Sequence, residues 1–138
     1  KELPVKHTER RTIDLRSERG QSLTEFALAL PILALLLFAV IQFGIVFNNY
    51  VTLTDATRAG ARKAAVDRQL SNPAAVAISA VRSSAADLKQ SSLAVTVTST
   101  WQPSSDVTVT ATYPYSISLL GMVVKSGRLS SSTTERVE

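Results

Sequence analysis

From Phe26 to Phe47 the chain holds 22 residues without a formal charge. At about 1.5 Å rise per residue, such a helix crosses a bilayer core of about 30 Å. The pattern then changes. Asn48 to Asp67 has no proline and one glycine, and Ala56, Gly60 and Ala64 recur every fourth position, on one helix face. A stripe of small residues lets a second helix or a sheet approach closely. The spacing therefore predicts one helix from Leu23 to Arg68, about 45 residues and about 65–70 Å long, its first half membranous and its second half amphipathic. A separate membrane helix and soluble helix, broken at Asn48-Asn49, is the competing reading. Pro31 removes a backbone donor inside the apolar half and predicts a kink near residues 27–31. Gln42 calls for either a helix neighbour or a place near the outer interface.

Beyond the long helix, Asn72 and Pro73 form a helix start, as N-cap and first helical residue. Ala77, Ile78, Val81, Ala85 and Leu88 continue at helical spacing, so a second helix is expected to end near Lys89-Gln90. The period then drops to two. Leu93, Val95, Val97, Ser99 and Trp101 alternate with Ala94, Thr96, Thr98 and Thr100. Val107, Val109, Ala111 and Tyr113 alternate with Thr108, Thr110 and Thr112. Gln102 to Asp106 supplies turn chemistry, so the two runs predict a hairpin with one apolar face. Tyr113-Pro114-Tyr115 is expected to end the second strand. Leu119 to Val124 is a short apolar run around Gly121, and a third strand is expected over Arg128 to Val137. The fold class is α+β: a long N-terminal helix, a short second helix and a small antiparallel sheet of about three strands, with the helices covering the apolar face of the sheet.

Charge sharpens the picture at the front of the chain. Six of the fifteen Lys and Arg precede Gly20. A basic arm beside an apolar span stays on the cytoplasmic side, which sends Asn48 to Glu138 outside. A secretory signal is cut after its apolar region, but Asn48-Asn49-Tyr50 offers no small-residue site there. Gly20 offers one before it, and a cut at that point leaves the apolar helix on the mature protein. The pair Arg10-Arg11 fits a twin-arginine signal poorly, because its apolar region lies too far away. Glu25, five positions after Gly20, is the acid at the lip of the span, and such an acid calls for a partner. The reading is a leader over 1–20 with cleavage at Gly20/Gln21, an apolar helix over 21–47 and an external domain over 48–138. Glu25 and Phe26 then lie at the start of the assembly helix and Pro31 within it.

Candidate chemistry is sparse. The one histidine, His7, lies in the arm, and there is no cysteine for thiol, disulfide or zinc-thiolate chemistry. The five glycines are isolated, so no phosphate loop is expected. The basic residues are not interleaved with aromatics as single-strand binders require. An enzyme, a metal site, a cofactor and nucleic-acid binding are all disfavoured.

The run Gly20-Gln21-Ser22-Leu23-Thr24-Glu25-Phe26-Ala27-Leu28-Ala29-Leu30-Pro31, the apolar stretch after it and then Ala56-Thr57-Arg58-Ala59-Gly60-Ala61-Arg62 resemble the TadE-like minor pilins (pseudopilins) of the tight-adherence, or Flp, type IV pilus machinery. The resemblance covers residues 19–65; the β-rich remainder is similar only in outline. It implies cleavage after Gly20 by a prepilin peptidase, partnership with other pilin subunits and the assembly platform, and oligomerisation through the N-terminal helix. It also implies a place in the bacterial cytoplasmic membrane or in a surface pilus serving adherence. Gln21 departs from the aromatic first residue of typical type IV pilins. The alternative function is a bitopic membrane protein with a small binding or scaffolding domain, which requires neither Gly20 nor Glu25.

Overall fold

The computed structural model describes residues 18–138, and the expected leader lies outside the described residues as far as residue 17. Five elements follow in order: α1 Glu18–Val66, α2 Pro73–Ser84, β1 Ala94–Ser99, β2 Asp106–Leu119 and β3 Met122–Arg136. The chain divides into two compact units, one ending at Leu36 and the other Leu37–Glu138. In the first, the described residues are all α1. The second holds the rest of α1, then α2 and a three-stranded antiparallel sheet in the order β1-β2-β3.

α1 is continuous for 49 residues. Alanine, leucine and other good helix formers make up about half of it, whereas the stretch 43–52 is mostly β-branched, aromatic, glycine or asparagine, so propensity alone does not carry the helix there. It is unbroken at Asn48-Asn49, which decides for one helix over two. It also passes through Pro31 without interruption.

The second unit is built on the far half of α1. Leu53, Ala56 and Ala61 form one buried cluster with Val81 and Ala85 after α1, Leu88 and Leu93, and Val109 and Ala111 of β2. Ala64, Ala65, Ala77, Val107 and Val137 form a second. The two helices thus cover one face of the sheet. The other face carries threonine and serine hydroxyls paired across the strands, Thr108 with Thr134 at 2.8 Å and Thr110 with Ser132 at 2.9 Å.

α2 starts as expected, with the Asn72 side chain accepting from the Ala75 amide at 3.0 Å. It ends earlier than the periodicity predicts, at Ser84 rather than Lys89-Gln90. The Gln90 amide group donates to the Ala85 carbonyl at 2.7 Å and to the Leu88 carbonyl at 3.1 Å. The Ala85 carbonyl also accepts from the Leu88 amide at 3.0 Å, so the Gln90 side chain adds a second donor where the chain leaves the helix. Ala85 and Leu88 remain buried in the turn that follows.

β2 also departs from expectation. It does not stop at Tyr113-Pro114-Tyr115 but continues to Leu119, paired with β3 throughout. β1 pairs with β2 only as far as Thr112. From Tyr113 onward that side of β2 is an open edge, where a proline is tolerated. The strands turn through Leu120 and Gly121, with φ of 52° and 82°. Two consecutive positive φ values make the tight hairpin whose twist matches its strands. The apolar run around Gly121 is therefore a hairpin tip, and β3 starts at Met122 rather than Arg128.

Candidate membrane and assembly helix

The stretch from Gly20 to Phe26 is the first part of α1 after its opening residues. Gln21, Glu25 and Phe26 are exposed, and Gly20 is half-buried. The Gln21 side-chain amide donates to Glu25 Oε1 at 3.0 Å, one turn further along. Thr24 Oγ1 donates to the Gly20 carbonyl at 2.9 Å. The peptide expected to be cut is thus held in helical form, and its carbonyl takes a side-chain hydrogen bond.

Past Glu25, large apolar side chains point outward all round α1. Leu28, Ile32, Leu36, Val40 and Phe43 are each more than half exposed, and Leu35 and Ile41 on other faces are nearly so. The most apolar 18-residue window has a mean hydropathy of 2.6 and is wholly unburied. A helix that is apolar on every face belongs in lipid or among other helices. Pro31 lies on this exposed part. The apolar surface runs beyond the uncharged stretch to Tyr50 and Val51, and Phe43 stacks on Phe47 with ring centroids 6.3 Å apart.

The small-residue stripe lies in a different environment. Ala56, Gly60 and Ala64 are buried within the second unit. At Gly60 a Cβ would lie 2.4 Å from Val81 Cγ2, 3.2 Å from the Ala77 carbonyl oxygen and 3.5 Å from Val109 Cγ1. The stripe seats α2 and β2 against α1 inside one chain. On the outside Arg58 faces Asp55 at 3.7 Å, and an exposed Lys63 reaches the largely buried Asp67 carboxylate at 2.7 Å. An exposed pair such as Arg58–Asp55 contributes little to stability.

Residues 20–62 match the family model described as TadE-like protein. Over this segment, about a third of its length, the chain is similar to the TadE-like proteins. No curated protein and no solved structure matches the chain.

The TadE-like segment begins at Gly20 and ends within α1, so it takes in the junction, Glu25, the apolar stretch and most of the small-residue stripe. It stops short of α2 and the sheet. By length and composition the helix is apolar enough for a single membrane pass. Among the described residues, no three His, Asp or Glu side chains are grouped to hold a metal ion.

Two features escaped the sequence reading. One is the buried hydroxyl set of Thr57, Ser131 and Thr133 between α1 and β3, which joins positions more than seventy residues apart. The other is the apolar hairpin tip, whose signal was present in Leu119 to Val124 but whose place in the fold was not.

Proposed function

We propose that this TadE-like chain is a pilin-like subunit, of the minor-pilin or pseudopilin kind, that takes part in assembling a tight-adherence type IV pilus. A prepilin peptidase cuts between Gly20 and Gln21. Residues 21–47 then form the membrane and assembly helix, and residues 48–138 the external domain, with the leader side in the cytoplasm. The observation that carries the reading is the wholly exposed apolar part of α1, continuous with a helix half whose own stripe is already consumed by its domain. The free apolar surface suits packing against lipid before assembly and against neighbouring pilin helices or the assembly platform afterwards.

Glu25 fits this role. Burying a lone carboxylate among acyl chains or packed helices costs several kcal/mol unless it is paired. In the uncut chain the Gln21 amide group already reaches it. Cleavage would add an α-ammonium at Gln21, a charge of opposite sign. In a bundle, Glu25 of one subunit would meet the Gln21 terminus of a neighbour displaced by four residues, about 6 Å along the axis. Only the processed chain has that register available.

The test is mass spectrometry of the protein in sheared surface filaments and in membranes, reading its N-terminal residue and abundance. A mature chain starting at Gln21 and present in or required for filaments supports the proposal. An uncut chain confined to the membrane, in cells that build the pilus without it, would make it a bitopic protein with a scaffolding domain.

A further inference from the structure

The β2–β3 hairpin outruns the rest of its sheet. β1 pairs with β2 only from Val107 to Thr112, whereas β2 and β3 pair on to Leu119 and Met122. The end of this two-stranded arm is apolar and open: Leu120 is 80 % exposed, Met122 70 %, and Val123 and Val124 64 % each. Leu120 holds a φ of 52°, a left-handed conformation that favours glycine or asparagine over leucine. An apolar side chain therefore occupies the turn at a conformational cost.

The direction of the arm follows from contacts within the second unit. Val107 clusters with Ala64 and Ala65, a Gly60 Cβ would meet Val109, and Ser131, the cross-strand partner of Ala111, bonds Thr57. β2 therefore runs antiparallel to α1. Four residues of strand, about 13 Å, match seven or eight residues of helix, about 11 Å. At that ratio the eight further residues from Ala111 to Leu119 correspond to about fifteen residues of α1, back from Thr57 to near Gln42. Lys125, opposite Ile117, falls near the level of Phe47, where the uncharged stretch ends. The arm from Val107 to Thr134 contains two cations, Lys125 and Arg128, and no acid.

We infer that the hairpin tip is a second membrane contact: Leu119, Leu120, Met122, Val123 and Val124 enter the leaflet nearest the folded domain, beside the α1 span, and Lys125 and Arg128 meet the phosphates of anionic lipid headgroups. Apolar residues at the tip and cations behind it are the order in which a bilayer presents acyl chains and then headgroups. The inference rests on the membrane span of α1, and not on cleavage or on pilus assembly. The arm fixes how the external domain stands on the membrane, which a single helix leaves free to rotate.

The absence of native cysteine allows single-cysteine variants of the full chain, each carrying a nitroxide label, in nanodiscs of phosphatidylcholine and phosphatidylglycerol with one chain per disc. Accessibility to oxygen against a water-soluble nickel chelate reports depth. Leu120→Cys is expected to give a ratio several-fold above that of Thr98→Cys, which is exposed on β1, and similar to that of Val40→Cys in the span. Adding Lys125→Glu is expected to lower the Leu120→Cys ratio. If Leu120→Cys is as aqueous as Thr98→Cys while Val40→Cys stays in lipid, the inference is wrong and the span stands. If Val40→Cys is also aqueous, the span reading fails and the inference falls with it. If Leu120→Cys is shielded only when several chains share a vesicle, the tip binds a second copy and the lipid assignment is overturned.

Discussion

Gly60 of α1 and Val81 of α2 approach so closely that a β-carbon on the glycine would lie 2.4 Å from Val81 Cγ2. With the Ala77 carbonyl oxygen 3.2 Å from the same point, the contact can relax only by moving α2 away from α1. Gly60→Ala is therefore expected to destabilise the domain by about 1–3 kcal/mol, despite the better helix propensity of alanine. Thermal unfolding of the full chain in detergent, followed by circular dichroism, measures this. Gly44→Ala is the control: nothing lies within 4 Å of its β-carbon, so it should leave the transition unchanged or raise it slightly.

Thr57 is buried, yet its hydroxyl has work to do. It donates to the Thr54 carbonyl at 2.8 Å and lies 3.1 Å from Ser131 Oγ and 3.2 Å from Thr133 Oγ1. Thr57→Val keeps the shape and strands the two β3 hydroxyls, at an expected cost of about 1–3 kcal/mol. Ser131→Ala in the same background should cost less than it does alone, because its partner is already gone. A double-mutant cycle from chemical denaturation reads the coupling; strictly additive losses would show that the bond carries none.

Processing at Gly20 makes a sharp prediction. The peptidase must accept the residue before the cut, and Gly20→Leu adds bulk there. The variant is expected to accumulate at precursor mass in membranes, while the unchanged chain begins at Gln21. Mature protein from Gly20→Leu cells, or a mature N-terminus beyond Phe47, would contradict the proposed junction.

Glu25→Gln tests the proposed intersubunit pair. The substitution keeps size and helix propensity and removes the charge. Cleavage and membrane insertion should be normal, whereas crosslinks to other pilus subunits and piliation should be lost. The decisive measurement is filament yield in cells shown to need this protein; yield equal to that of unmodified cells would eliminate the pairing.

The local patterns in this chain were legible without a structure because they depend on neighbours a few residues apart. The uncharged run to Phe47, the four-residue spacing of Ala56, Gly60 and Ala64, the Asn72-Pro73 start and the alternation around Val95 and Val109 each report a helix or strand period, and the α+β architecture follows from their order. What the tertiary structure decided involves residues far apart. α2 stops at Ser84, and the Gln90 side chain folds back onto the carbonyl of Ala85 just beyond it. Pro114 stays inside a strand because β1 has already ended beside it. The small-residue stripe faces α2 and β2 of its own chain, and the apolar surface before it is left uncovered by that domain. Leu119 to Val124 read as an isolated apolar run in the sequence. Only the register of β2 against β3 made it the tip of an arm, since period alone carries no information about which distant residues meet.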